Sequence, residues 1–383
     1  MDFNWNKEQL EMYQQAVSFA QSKMNKNLIE EDRESHFSRE KWHALGQMGL
    51  LGLTIPEEYG GLGLDPLTSA YTLEGFGYGC KYAGIFLSLG AHLWAVETPI
   101  LLYGNGFQKS QFLPKLASGE WVGAHAISEP DAGSDAMSMD TRAEFNGDFY
   151  ILNGRKTFVT NAPVADFFLI FATTNKKYGF AGINAFLLEK NTPGLSVESK
   201  TEKMGTRTSL MSDITFTNCK VSKENLLGKP NMGFRIFSRI MQWERALILA
   251  PFIGSMQRQL EECIQYANQR QQFTKRLSEN QAISHKIVDM HNRLEAARLF
   301  LYKAAWAFEN DDPALPSSVA KLWISESAIQ TYLDAIQIFG GYGYTTDFEI
   351  ERSLRDAIGT KLYSGTSEMQ KMIIAQQLGL KTQ

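Results

Sequence analysis

The sequence predicts a mainly α-helical chain with a β domain set between two helical ones. Three observations predict it. Apolar residues recur at spacings of three and four in the first and last parts of the chain, the repeat of amphipathic helices. Between them the repeat drops to two, with turn residues at short intervals, as in a set of short strands. At 383 residues the chain is also too long for one ordinary core, so two or three domains are expected. We place an N-terminal helical domain at 1–120, a small β-barrel or sandwich at 121–228 and a C-terminal four-helix bundle at 229–383.

Composition is that of a soluble globular protein, 44% hydrophobic and 21% charged. A net charge of -4 gives no electrostatic case for nucleic acid or an anionic membrane. Cys80, Cys219 and Cys263 are odd in number and widely spaced. They read as reduced thiols of a cytoplasmic protein, with no disulfide framework and no metal site. The start, MDFNWNKEQLEMYQQ, lacks the basic and apolar regions of a signal peptide. The longest apolar runs read as too short and interrupted to span a bilayer.

In chain order, 6–26 is expected to be a helix with Leu10, Tyr13, Val17 and Ala20 on its apolar face, and 38–48 a second with Trp42, Leu45 and Met48. Pro56 with Gly60 and Gly61 marks a turn-rich connection. Residues 65–103 return to helix, broken at Gly75, Gly77 and Gly79; this GFGYG has the wrong spacing for a dinucleotide loop and fits close helix packing. His92, in an apolar helix, reads as a core histidine. In the β region, Asn146-Gly147 predicts a hairpin and Asn153-Gly154 a second turn. Strands follow at 156–160, 167–172, 183–188 and 214–216. Two loops there look functional: Ser128 to Asp135, rich in hydroxyl and N–H donors, and Phe158 to Asn161, an aromatic beside a hydroxyl. In the last region Ile287, Met290, Leu294, Ala297 and Leu301 form a core stripe, and Val319, Leu322, Leu333 and Ile336 another, ending at Gly340-Gly341. A last helix is capped by the hydroxyls around Thr366.

The chemistry is placed at Met241-Gln242-Trp243-Glu244-Arg245, in an otherwise apolar run. Pro251, shortly after it, should kink that helix or delay its start. Buried charges are costly unless paired or used. Glu244 is therefore either a general base with a raised pKa or half of an ion pair with Arg245 that pins the helix. These residues alone leave both open.

Six motifs, in order, extend the argument: IPEEYGG, SEPDAGSD, FVTNA, Arg270-Gln271-Gln272-Phe273, QIFGG and YSGTSEMQ. Together they resemble the acyl-CoA dehydrogenase family over nearly the whole chain. The resemblance implies FAD, held between the β domain and the C-terminal bundle of a homotetramer. It implies that His125, Ile127, Ser128, Gly133, Ser134, Phe158 and Thr160 line the flavin. Arg270, Phe273, Gln281, Gln337, Gly340 and Gly341 would reach the pyrophosphate and adenosine, partly from a neighbouring subunit, and Thr366 and Glu368 would complete the FAD contacts. Many members carry their catalytic glutamate where this chain has Ser364, which cannot act as a base. Glu244 matches the position used by isovaleryl- and long-chain-type members, with Arg245 to tune it.

MQWERA, SGTSEMQ, NAPVAD and LGLTIPEEYGGLGL bring the resemblance closer to the prolyl-carrier-protein dehydrogenases and oxidases, which serve pyrrole-forming pathways and the anatoxin-type pathway of cyanobacteria; the latter branch is preferred. This implies α,β-dehydrogenation of an L-prolyl thioester on an acyl or peptidyl carrier protein, with Glu244 as base and hydride passing to flavin N5. The enamine formed would tautomerise to a pyrroline. The backbone N–H of Ser364 would help hold the thioester carbonyl, a role that survives the loss of glutamate there. Oxygen and an electron-transfer flavoprotein are both open as acceptors. Lys200, Lys203, Arg207, Lys275 and Arg276 are candidates to meet an acidic carrier, or else an ordinary solvated face. The rivals are a branched short-chain acyl-CoA dehydrogenase of isovaleryl type, a non-catalytic binding protein and a flavin monooxygenase or nitro-forming relative.

Overall fold

A computed structural model of the chain describes residues 4–381. The N-terminal part holds α1 (Lys7–Lys23), α2 (Leu28–Glu34), α3 (Arg39–Gln47), α4 (Pro66–Gly79), α5 (Gly84–His92), α6 (Thr98–Tyr103) and α7 (Gly106–Ala117). Asn6 and Gln9 start α1 by reciprocal side-chain to backbone hydrogen bonds, and Ser38 caps α3. Val17 and Ala20 are buried as expected, but Leu10 is exposed and Ala16 takes its place. The short α2 was not foreseen.

Helix α4 runs unbroken through Gly75 and Gly77, contrary to expectation. A Cβ on Gly77 would lie 1.8 Å from the carbonyl oxygen of Pro251, and one on Gly75 2.6 Å from that of Tyr13. The glycines admit neighbouring helices; they do not interrupt their own. His92 is a satisfied core residue: its Nδ1 accepts from Gly123 N–H, and its Nε2 lies 3.2 Å from Leu116 O and 3.3 Å from Glu97.

The expectation that no apolar run could span a bilayer is corrected. Through a π turn at Leu93–Glu97, α5 and α6 form one 20-residue run, Gly84–Tyr103, of mean hydropathy 1.5. It is long and apolar enough to cross a membrane, yet 89% of its most apolar window is buried inside the protein. Here it serves as a core helix.

The middle part holds β1 (Gly123–Ala126), β2 (Arg142–Asn146), β3 (Phe149–Thr160), β4 (Phe167–Thr173), β5 (Ile183–Glu189), β6 (Leu195–Val197) and β7 (Met211–Ser222). They form one seven-stranded sheet of half-barrel form in the order β1-β4-β2-β3-β7-β6, with β5 on β4. Asn146-Gly147 makes the expected hairpin between β2 and β3. Asn153-Gly154 does not turn the chain. There β3 continues for 12 residues, and Gly154 (φ 150°) absorbs a shift of register against β7 while packing on Thr141.

The C-terminal part holds α8 (Gly233–Leu247), α9 (Ala250–Gln269), a small hairpin of β8 (Gln271–Gln272) and β9 (Lys275–Arg276), α10 (Gln281–Asn310), α11 (Ala314–Phe339), α12 (Gly341–Tyr344), α13 (Ile350–Gly359) and α14 (Ser367–Gln377). Pro251 lies in the first turn of α9, where its missing N–H costs nothing. Glu244 thus sits in the last turn of α8 and does not open the region. Met290, Leu294, Ala297 and Leu301 are buried as expected. On α11 the expected stripe is wrong: Leu333 is exposed, and the buried face carries Ala320, Ile324 and Ala328 together with Lys321. One continuous core joins both helical parts, from Trp42, Phe76 and Phe86 to Phe252, Leu294 and Ile324.

Candidate active site

The last turn of α8 presents Glu244 to the loop that precedes α14, 120 residues later in the chain. Ser364 Oγ donates to Glu244 Oε1 at 2.8 Å. The other carboxylate oxygen, Oε2, is buried without a partner. Burial pushes the Glu244 carboxyl up to about 7, against the opposing pull of the Ser364 hydrogen bond and the charges of Arg245 and Lys321. Arg245 makes no ion pair with Glu244; its Nε donates to Ser364 O at 3.4 Å. The helix-pinning ion pair left open by the sequence is therefore not formed.

Ser364 (φ 57°) and Gly365 (φ 86°) both take left-handed backbone, which costs a non-glycine residue on the order of 1 kcal/mol. Three side chains hold this turn. Besides Arg245, Gln370 Nε2 donates to the carbonyls of Ser364 (3.1 Å) and Gly365 (2.9 Å), and Lys321 Nζ donates to Gly365 O at 2.6 Å. Lys321 is fully buried, and burial, then Arg245, pushes its ammonium down to about 7. Neither Lys321 nor Gln370 was singled out in the sequence. The available signal was a lysine at a core position of α11 and a glutamine one turn into α14.

The residues expected near a flavin fall into separate groups. Strands β1 and β3 bring the first together: Thr157 N–H donates to Ser128 O at 2.9 Å, and Lys156 Nζ donates to Ile127 O at 2.9 Å. Phe158 projects from a bulge in β3 with φ 55° and a ring 66% exposed, and Thr160 is half-buried beside it. Gly133 and Ser134 lie in the exposed loop, with open space where a Gly133 Cβ would go. His125 packs edge-on to Phe171 at 5.5 Å, with Nε2 buried and unpartnered. Burial, with Lys156 nearby, lowers its pKa to about 4 and keeps it neutral.

A second group lies at one end of the bundle, where Tyr266 of α9 stacks on Phe339 of α11 at 4.0 Å. Arg270, Gln281, Gln337, Gly340 and Gly341 are exposed there, and Phe273 is 96% exposed with φ 51°. Among the described residues no hydrogen bond, ion pair or ring contact joins this group to the β1–β3 group. Thr366 Oγ1 caps α14 by accepting from Met369 N–H, and Glu368 is exposed in its first turn.

The N-terminal, middle and C-terminal domain families of acyl-CoA dehydrogenases match residues 6–120, 124–219 and 231–379. The chain belongs to the acyl-CoA dehydrogenase family. It is 43% identical over 351 residues to the L-prolyl-[peptidyl-carrier protein] dehydrogenase of Pseudomonas fluorescens, covering 91% of this chain and 92% of that one. The crystal structure of the prolyl acyl carrier protein oxidase AnaB superposes with a TM-score of 0.97 at 46% identity, covering 98% and 100% of the two chains. PigA with FAD and proline superposes with a TM-score of 0.97 at 37% identity, over the whole of both chains. In this family member, the Glu244–Ser364 pair joins the end of α8 to the loop before α14.

Proposed function

We propose that this acyl-CoA dehydrogenase family member uses FAD to oxidise an L-prolyl thioester, carried on an acyl or peptidyl carrier protein, across its α,β bond. The observation that carries the reading is Glu244: a buried carboxylate with one oxygen held by Ser364, the other free, and a pKa near 7. Such a group is poised to take a proton at neutral pH. The resemblance to prolyl-carrier-protein enzymes supports the substrate.

The β-domain residues fit FAD. An exposed Phe158 ring held by left-handed backbone is costly unless a partner covers it, and a flat ring system would. The orphaned His125 Nε2 and the open space over Gly133 suit the same ligand. His125, Ile127, Ser128, Gly133, Ser134, Phe158 and Thr160 would hold the flavin, with Thr366 and Glu368. Arg270, Phe273, Gln281, Gln337, Gly340 and Gly341 would serve its pyrophosphate and adenosine from a neighbouring subunit of a homotetramer. Bound there, FAD supplies the acceptor for the β-hydride.

Glu244 Oε2 removes the α-proton, and Ser364 Oγ steadies the carboxylate until it does so. Arg245, Gln370 and Lys321 hold the Ser364–Gly365 turn by its carbonyl oxygens, which fixes that backbone for the thioester carbonyl. The product is a dehydroprolyl thioester that tautomerises to a pyrroline.

The test is an anaerobic spectrum of the FAD-loaded protein before and after adding prolyl-loaded carrier protein, with isovaleryl-CoA as comparator. Bleaching of the flavin band by the prolyl thioester is expected. Bleaching only by the acyl-CoA would move the chain to branched-chain substrates, and a protein unable to take up FAD would make it a non-catalytic member. Admitting air, or an electron-transfer flavoprotein, to the bleached enzyme identifies the acceptor.

A further inference from the structure

Lys156 lies on β3 two residues before Phe158, and no step of the proposed chemistry uses it. Its side chain is fully buried. Nζ donates to Ile127 O at 2.9 Å and to Glu129 Oε1 at 2.8 Å, with Glu129 buried beside it. A buried ion pair adds little stability by itself, because the loss of water around both charges offsets much of their attraction. Its role is read instead from what the two side chains hold.

Glu129 uses both carboxylate oxygens. Oε1 also accepts from Thr141 N–H at 3.0 Å, and Oε2 accepts from Asp140 N–H at 2.6 Å. One carboxylate therefore joins the two ends of the stretch from Glu129 to Thr141. Just inside this neck Glu129 and Ala132 exchange backbone hydrogen bonds, and Thr173 N–H donates to Thr141 O, which ties the far end to the start of the next loop after β4. Gly133, Ser134 and Asp135 lie between, all exposed. A surface loop tied at its ends leaves far fewer conformations to its tip than one with free ends.

The near end is held as well. Lys156 grips Ile127 by its carbonyl, and Thr157 N–H donates to Ser128 O at 2.9 Å. The strand that carries Lys156 goes on to Phe158 and Thr160. One buried lysine thus links the three segments expected to line the flavin: Ile127 with Ser128, Gly133 with Ser134, and Phe158 with Thr160.

We propose that Lys156 is a positioning residue for FAD: with Glu129 it closes the neck of the 130–139 loop and sets that loop against β3 before the cofactor arrives. The inference rests on the flavin reading above. Deleting the ammonium leaves the Glu129 carboxylate buried without a cation, and a buried lone charge takes up a proton or turns toward water. Either response weakens its hold on the N–H groups of Asp140 and Thr141.

The test titrates FAD-free protein with FAD, reading flavin fluorescence, for wild type, K156M, E129Q and E129Q/K156M. Amide hydrogen exchange at 130–139 is followed in the same FAD-free proteins. E129Q keeps the size of the side chain and one acceptor, so it carries the test if K156M does not fold. Each single variant should raise the Kd for FAD about tenfold or more and speed exchange in the loop. The double variant should lose less than the product of the two single losses, because both act through one neck. An FAD affinity within about twofold of wild type in the folded variants overturns the proposal even where Tm falls, since a purely structural pair would move Tm alone. So do losses that multiply, or exchange at 130–139 that stays as in wild type. A wild type that takes up no FAD removes the flavin reading and this proposal with it. A wild type that binds FAD beside unaffected variants removes this proposal alone.

Discussion

Ser364 Oγ donates a 2.8 Å hydrogen bond to Glu244 Oε1, joining the loop before α14 to the end of α8. The bond leaves Oε2 as the one free acceptor of a buried carboxylate. Ser364 is thus a hydroxyl that orients a glutamate from another helix.

Glu244→Gln keeps the size of the side chain and an acceptor for Ser364 but removes the base. Turnover should fall by about 10²–10⁴-fold, with flavin absorbance retained. Stability should move the other way. The folded pKa of about 7 lies above the ordinary 4.5, so the folded protein holds this proton more tightly than the unfolded chain. Stability is then greatest below about 4.5 and is lost as pH rises to about 7. The Gln variant should exceed wild type by up to about 3 kcal/mol at pH 8 and match it near pH 4.5, measured by urea unfolding.

The rate of flavin reduction should rise with pH through about 7, the point where Glu244 loses its proton. Ser364→Ala deletes a hydrogen bond that favours the charged form, so this limb should move up by about one unit. Single-turnover reduction across pH 5.5 to 9 measures both, and a limb that stays in place would show that Ser364 does not tune the base.

Lys321→Met removes the donor to Gly365 O and a cation near Glu244. We expect the rate of reduction to fall about tenfold as the turn loosens, with the acid limb again displaced upward. Stability should change by less than about 2 kcal/mol, because methionine suits a site whose burial already disfavours the ammonium. A large loss of stability with an unmoved pH profile would make Lys321 a purely structural residue.

Gly77→Ala should destabilise the chain by about 3 kcal/mol, since its Cβ would meet the Pro251 carbonyl carbon and oxygen where α4 crosses α9. Backbone cannot swing aside as a flexible side chain can. Gly106→Ala, over open space at the start of α7, is the control and should leave Tm unchanged.

Glu244 was legible because a charge in an apolar run announces itself. The helix stripe of α10 and the Asn146-Gly147 hairpin were legible because each depends on near neighbours in sequence. Asn153-Gly154 was misread because the same dipeptide serves a bulge inside a long strand, and only pairing with β7 tells the two apart. Lys203 and Leu333 were misread in opposite directions: the lysine is half-buried and the leucine exposed, since burial depends on what packs alongside.

By itself the sequence determined the order of helical and β regions, the Asn146-Gly147 turn, the cap at Thr366, and the glutamate that stands out from its surroundings. These follow from spacing and composition over a few residues. Only the tertiary structure decided that Glu244 and Arg245 do not pair, that Ser364 meets Glu244, and that Lys321 and Gln370 hold the turn between them. Such contacts span from 44 to 120 residues or lie across a helix turn, and the distances that create them exist only once α8, α11 and α14 are packed.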